Sequence, residues 1–117
     1  MNNIEKGKLG ENISVDYLIK NGYKILERNY RNKIGEIDII ALYDGILVFI
    51  EVKSRSNINY GYAFEAVNLK KQRKIINTSS IYIKSNGLGN YQLRYDIVEV
   101  YLTKNNNINH IENAFCL

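Results

Sequence analysis

A chain of 117 residues, 45% of them hydrophobic, is long enough for one folded domain spanning residues 1–117 and too short for two cores. The 16 Lys and Arg outnumber the 12 Asp and Glu for a net charge of +4, a mild leaning toward polyanions. One cysteine (Cys116) and one histidine (His110) exclude an internal disulfide, a cysteine-based zinc site, HNH-type centres and His-Glu-x-x-His metal sites.

No G-x-S-x-G elbow is present to carry a serine nucleophile, so any chemistry must rest on carboxylates and lysines. No apolar stretch approaches the length of a membrane span, and the N-terminus has no apolar signal segment. A cytoplasmic location without a membrane partner is therefore expected.

Residues 3–21 read as a helix closed by Gly22. Ile4, Gly7, Glu11, Ser14 and Leu18 recur at spacings of three and four, with Val15 alongside, and form one stripe. Glu11 lies mid-stripe, which fits either a solvent edge or a buried acidic function. Gly7 and Gly10 each cost a helix about 1 kcal/mol relative to alanine, and close approach to a sheet or to nucleic acid would explain them. Residues 23–30 follow as a first strand, with Arg28, Arg31 and Lys33 at its end and in the next turn.

Two apolar strands then flank Asp44-Gly45, a dipeptide suited to a two-residue hairpin turn. Such a turn sets Tyr43 against Ile46, Asp38 against Glu51 and Glu36 against Lys53. Alternation places Glu36, Asp38, Ile40, Phe49, Glu51 and Lys53 on one face, with Ile37, Ile39, Ala41, Val48, Ile50 and Val52 on the other. Facing carboxylates repel. A divalent cation relieves the repulsion, since Mg²⁺ is held by one or two carboxylates plus water and phosphate oxygens. The plainer reading is a solvated sheet surface with Glu36 and Lys53 as a cross-strand ion pair. Both faces are rich in apolar residues, however, and charges on a covered face need a reason.

A loop over residues 54–62 comes next, followed by Phe64-Glu65-Ala66-Val67, where Phe64 and Val67 are expected to pack. Asn68 suits the cap of a second helix running to about residue 84. Leu69, Gln72, Ile76, Ser79 and Ile83 supply its apolar face, widened by Ile75 and Tyr82. Lys70, Lys71, Arg73 and Lys74 crowd its first turns, against the helix dipole, a conflict that an approaching phosphate would relieve. A solvated basic face is the alternative. Residues 91–102 alternate as a strand, and a short last strand covers residues 108–111.

Asp38 followed by Glu51-Val52-Lys53 on the next strand resembles the core of the PD-(D/E)xK nuclease superfamily, which includes restriction endonucleases and archaeal Holliday-junction resolvases. Ile37 stands where the superfamily's label has proline. More closely, the chain resembles the YraN family of small endonuclease-like proteins. The matching residues are Gly7, Gly10-Glu11, Gly22-Tyr23, Arg28-Asn29, Gly35-Glu36-Ile37-Asp38, Phe49-Ile50-Glu51-Val52-Lys53-Ser54-Arg55, Lys70, Arg94-Tyr95-Asp96 and Asn113-Ala114-Phe115.

The resemblance implies an α/β fold of order α-β-β-β-α-β-β, a single-domain mixed sheet flanked by helices with a restriction-endonuclease-like core. It also implies a Mg²⁺- or Mn²⁺-dependent endonuclease acting on branched or structured DNA. Asp38, Glu51, Lys53 and Glu11 would be catalytic. Asp38, Glu51, the Val52 backbone and Glu11 would hold metal, with Glu36 in a supporting position. Lys70, Lys71, Gln72, Arg73, Lys74, Arg55 and Arg31 would contact nucleic acid. RNA is the alternative polymer, and a homodimer is compatible with the resemblance. The competing reading is a nucleic-acid-binding module that keeps the fold without hydrolysis.

Overall fold

Two asparagines start the two helices by the same device. Asn2 Oδ1 accepts the Glu5 N–H at 2.8 Å, and Asn68 Oδ1 accepts the Lys71 N–H at 2.9 Å, each satisfying a donor that the first helical turn leaves unpaired. In the computed structural model, which describes residues 1–56 and 67–116, α1 spans Asn3–Lys20 and α2 spans Leu69–Ser85. Five strands complete the molecule: β1 (Lys24–Arg31), β2 (Glu36–Tyr43), β3 (Ile46–Arg55), β4 (Gln92–Tyr101) and β5 (Ile108–Phe115). The order is the expected α-β-β-β-α-β-β. None of the described helices is long and apolar enough to cross a membrane.

The strands form a single mixed sheet in sequence order. β3 and β4 run parallel and are connected through α2, while the other neighbouring pairs are antiparallel. Asp44 and Gly45 form the β2–β3 turn with φ of 49° and 75°, and the turn pairs Tyr43 with Ile46 as the sequence predicts. Val15 and Leu18 of α1 pack on Ile39, Ala41, Val48, Ile50, Val98 and Val100. On the opposite face, Ile75, Ile76 and Tyr82 of α2 pack on Ile40, Leu47, Phe49, Tyr95 and Ile97. Central β3 is covered on both sides, which explains its unbroken hydrophobic run.

Several expectations need correction. Ile37 does not share the face of Ile39; it joins Ile40, Leu47 and Phe49 on the α2 side. The cause lies in β1, where Asn29 adopts a left-handed φ of 53°. Arg28 reaches Glu11 on the α1 side, yet Tyr30 packs edge-on against Tyr82 of α2. The register pairs Arg28 with Ile39 and Tyr30 with Ile37, which sets Asn29 across from Asp38. Both strands therefore turn over at this one rung.

In α1 the stripe is buried from Gly10 to Leu18, but Ile4 is 75% exposed and Gly7 is open to solvent. Leu69 is likewise exposed at the start of α2. The last strand runs on to Phe115, past a left-handed Asn113. β3 continues through Arg55, so the loop starts later than expected. Residues 57–62 of that loop, and Phe64, lie outside the described residues.

Candidate functional site

The β2–β3 ladder ends at the pair Ile39–Ile50. One rung beyond it, the side chain of Asp38 takes over the role of the backbone: its Oδ2 accepts the Val52 N–H at 2.8 Å. This fork brings the carboxyls of Asp38 and Glu51 together. Burial, then a hydrogen bond and charge repulsion from Glu51, push the Asp38 carboxyl up to about 8. Glu51 reaches toward α2, where Lys71 Nζ lies 3.2 Å from its Oε2; Lys53 Nζ lies 3.8 Å from the same oxygen.

Glu36 does not pair with Lys53. The β2–β3 ladder has already parted there, whereas the β1–β2 ladder continues to Arg31–Glu36, and these two form an ion pair at 2.8 Å.

Glu11 is brought to the same region by α1. It accepts from Arg28 Nη2 at 2.7 Å and from Asn29 Nδ2 at 3.3 Å, and its charge adds to the upward push on Asp38. Glu11, Asn29, Asp38, Val52 and Lys53 line an open cleft of about 670 Å³ between α1 and the ends of β2 and β3. Gly10 lets α1 sit this close, because a Cβ there would fall 1.9 Å from Ser54 Oγ and 3.1 Å from Ser54 Cβ. That buried Oγ has no hydrogen-bond partner among the described residues. Gly7 also lines the cleft, at its open mouth.

The α2 cations divide by helical spacing. Lys71 and Lys74 join Arg31 and Lys33 around a second cleft of about 290 Å³ at the β1–β2 turn. Gly35 admits this packing, since a Cβ there would meet Thr78 Oγ1 at 3.0 Å and Lys74 Cγ at 3.2 Å. Gln72 and Arg73 lie along a different groove beside Cys116, and Gln72 Nε2 donates to the Val67 carbonyl at 2.9 Å. Lys70 is exposed. Arg55 borders the first cleft, but its Nε donates to buried Glu99 at 3.3 Å. Of the residues read as nucleic-acid contacts, the structure brings Lys71, Lys74 and Arg31 together and leaves Gln72 and Arg73 apart.

The donors fit a hard divalent cation held partly by solvent. Among the described residues, no three His, Cys, Asp or Glu converge into a metal cage. Asp38 at the cleft wall with buried Glu51 behind it would supply the one or two carboxylates that Mg²⁺ uses when water and substrate phosphate complete its shell. The sequence reading missed Arg28 and Asn29 as the holders of Glu11 and Lys71 as the near partner of Glu51. Their signals were weak: an asparagine tolerates φ > 0 but does not announce it.

A family model described as "Uncharacterised protein family UPF0102" matches residues 10–100. A UPF0102 protein of Clostridioides difficile is 56% identical over 115 residues, covering 98% of this chain and all of its own. One from Caldanaerobacter subterraneus is 50% identical over 113 residues and covers 93% of each chain. Among solved structures, Pyrococcus furiosus SfsA in complex with Ca²⁺ aligns with a TM-score of 0.33 at 15% identity, over 92% of this chain and 62% of that one. So low a score carries no argument. The family match and the near full-length relatives decide the matter: the chain belongs to the UPF0102 (YraN) family.

Proposed function

We propose that the protein is a metal-dependent endonuclease acting on DNA, with branched forms as its substrate class. The observation that carries this reading is the meeting of Asp38 with buried Glu51 at the fork, beside Lys53, where Asp38 and Lys53 line an open cleft. Asp38 and Glu51 would hold Mg²⁺ or Mn²⁺, with the Val52 backbone adjoining them. Bound there, the ion supplies polarisation of a phosphate oxygen and acidification of water. Lys53 offers its ammonium to negative charge developing on the phosphate. Glu11, steadied by Arg28 and Asn29, adds a third carboxylate to the cleft wall. Lys71, Lys74 and Arg31 draw in the backbone of the polymer.

The test is nicking of a branched DNA with Mn²⁺ present, by wild type and by Lys53→Met. Lys53→Met should bind Mn²⁺ and melt like wild type, yet cleave about 100-fold or more slowly, the scale of losing one charge contact in a transition state. Cleavage within a few-fold of wild type would make Lys53 structural. A second reading, a binding module without hydrolysis, is favoured by one observation: Lys71 and Lys53 already offset the charge of Glu51. A wild type that cleaves no DNA or RNA form would leave that reading standing.

A further inference from the structure

Lys71 belongs to two places at once. Its ammonium lies 3.2 Å from Glu51 Oε2, nearer than that of Lys53 at 3.8 Å. It also lines the second cleft with Arg31, Lys33 and Lys74. In that cleft Arg31 is matched by Glu36, whereas Lys33 and Lys74 have no carboxylate partner among the described residues. An anion seated there would meet a surplus of positive charge and would attract the Lys71 ammonium away from Glu51. The side chain has freedom for this move, being 44% exposed on the first turn of α2. Its backbone is fixed by the Asn68 cap, so the motion is confined to the side chain.

We propose that Lys71 is a place-holding cation for Glu51 and couples two binding events. With the second cleft empty it occupies Glu51 and competes with a divalent ion. With a backbone phosphate in the cleft it turns to the phosphate and leaves Glu51 to the metal. Polymer and metal then bind with positive cooperativity, each strengthening the other. The coupling is reciprocal, as linkage requires. This rests on the reading of Asp38 and Glu51 as metal ligands, and Lys71 acts through Glu51 as a positioning residue.

The experiment is Mn²⁺ titration by calorimetry on wild type, Lys71→Met and Lys71→Arg. Each is measured alone, with inorganic sulfate and with a short single-stranded DNA, at matched ionic strength. With metal alone, Lys71→Met should bind Mn²⁺ about 10-fold more tightly than wild type, within the span of ordinary coupling between sites. Lys71→Arg keeps the charge and should stay near wild type. In wild type the DNA should raise Mn²⁺ affinity, and in Lys71→Met it should not. A rise with sulfate as well extends the cleft to free tetrahedral anions and supports the same coupling. Equal or weaker Mn²⁺ binding by Lys71→Met overturns the proposal and leaves the metal reading intact. Absence of Mn²⁺ binding in wild type overturns both.

Discussion

Asp38 carries a carboxyl held in a protonation state that burial and a neighbouring carboxylate dictate. Its ordinary carboxyl value near 3.8 is raised to about 8 by burial and by Glu51. Between these two values the folded protein holds a proton that the unfolded chain releases. The Asp38 contribution to stability is therefore full below about pH 4 and is lost as pH rises through about 8, a window set by linkage. In EDTA, the melting temperature of wild type should drop between about pH 5 and about pH 8.5. Asp38→Asn should flatten that drop and be the more stable protein at the alkaline end, by an amount on the order of a few kcal/mol. An unchanged pH profile in Asp38→Asn would show that the two carboxyls do not repel. The turn count was legible in the sequence as far as Ile39–Ile50, one rung short of Asp38 and Glu51. The step to that pair was not. Alternation alone expects a regular rung, whereas the left-handed Asn29 turns both strands over and sends the Asp38 carboxyl to the Val52 N–H.

Among elements, α1 against β3 is the contact on which the first cleft depends. Gly10 opposes Ser54 so closely that a methyl group must displace the hydroxyl and still crowd its Cβ at 3.1 Å. Helix propensity favours Gly10→Ala by about 1 kcal/mol, while overpacking typically costs about 1–3 kcal/mol. The second should win, giving net destabilisation in urea unfolding together with weaker Mn²⁺ binding as Glu11 is pushed from the cleft. Ser54→Gly should recover part of the loss in a double-mutant cycle, since it removes both crowded atoms. Strict additivity would mean that the two do not touch. The sequence flagged Gly10 as a site of close approach but treated Gly7 alike, and only Gly10 meets the sheet. The Asn68 cap was readable because it acts on its own neighbour, Lys71, whereas the equivalent cap by Asn2 went unread. The end of β5 was not readable either, since Asn113 looks like a break in the pattern; it is instead a left-handed residue whose N–H goes to Asp96.

That carboxylate governs the molecule as a whole. Asp96 is fully buried and accepts from Arg94 Nε at 2.9 Å, from the Asn113 N–H at 2.9 Å and sits 2.7 Å from His110 Nε2. His110 Nδ1 in turn lies 2.9 Å from Tyr17 Oη, and Arg94 also reaches Tyr23 Oη. One acidic group thus joins α1, β4, β5 and the residue preceding β1, outside the cleft that holds Asp38. Burial alone would raise its titration point, but hydrogen bonds from His110 and Arg94 outweigh burial and hold it below the ordinary carboxylate value. Its contribution is therefore present above about pH 4 and is lost as pH falls further, the opposite sign to Asp38. Asp96→Ala removes the main partner of Arg94, leaving it Tyr23 and, at 3.7 Å, exposed Glu112, and breaking a buried pair costs about 3–5 kcal/mol. Urea unfolding at neutral pH should register a loss of that size. Wherever Asp96→Ala remains folded, its Mn²⁺ affinity should equal that of wild type, because none of these partners lines the cleft of Asp38 and Glu11. A loss of metal binding without a loss of stability would place Asp96 in the site itself and refute this division of labour.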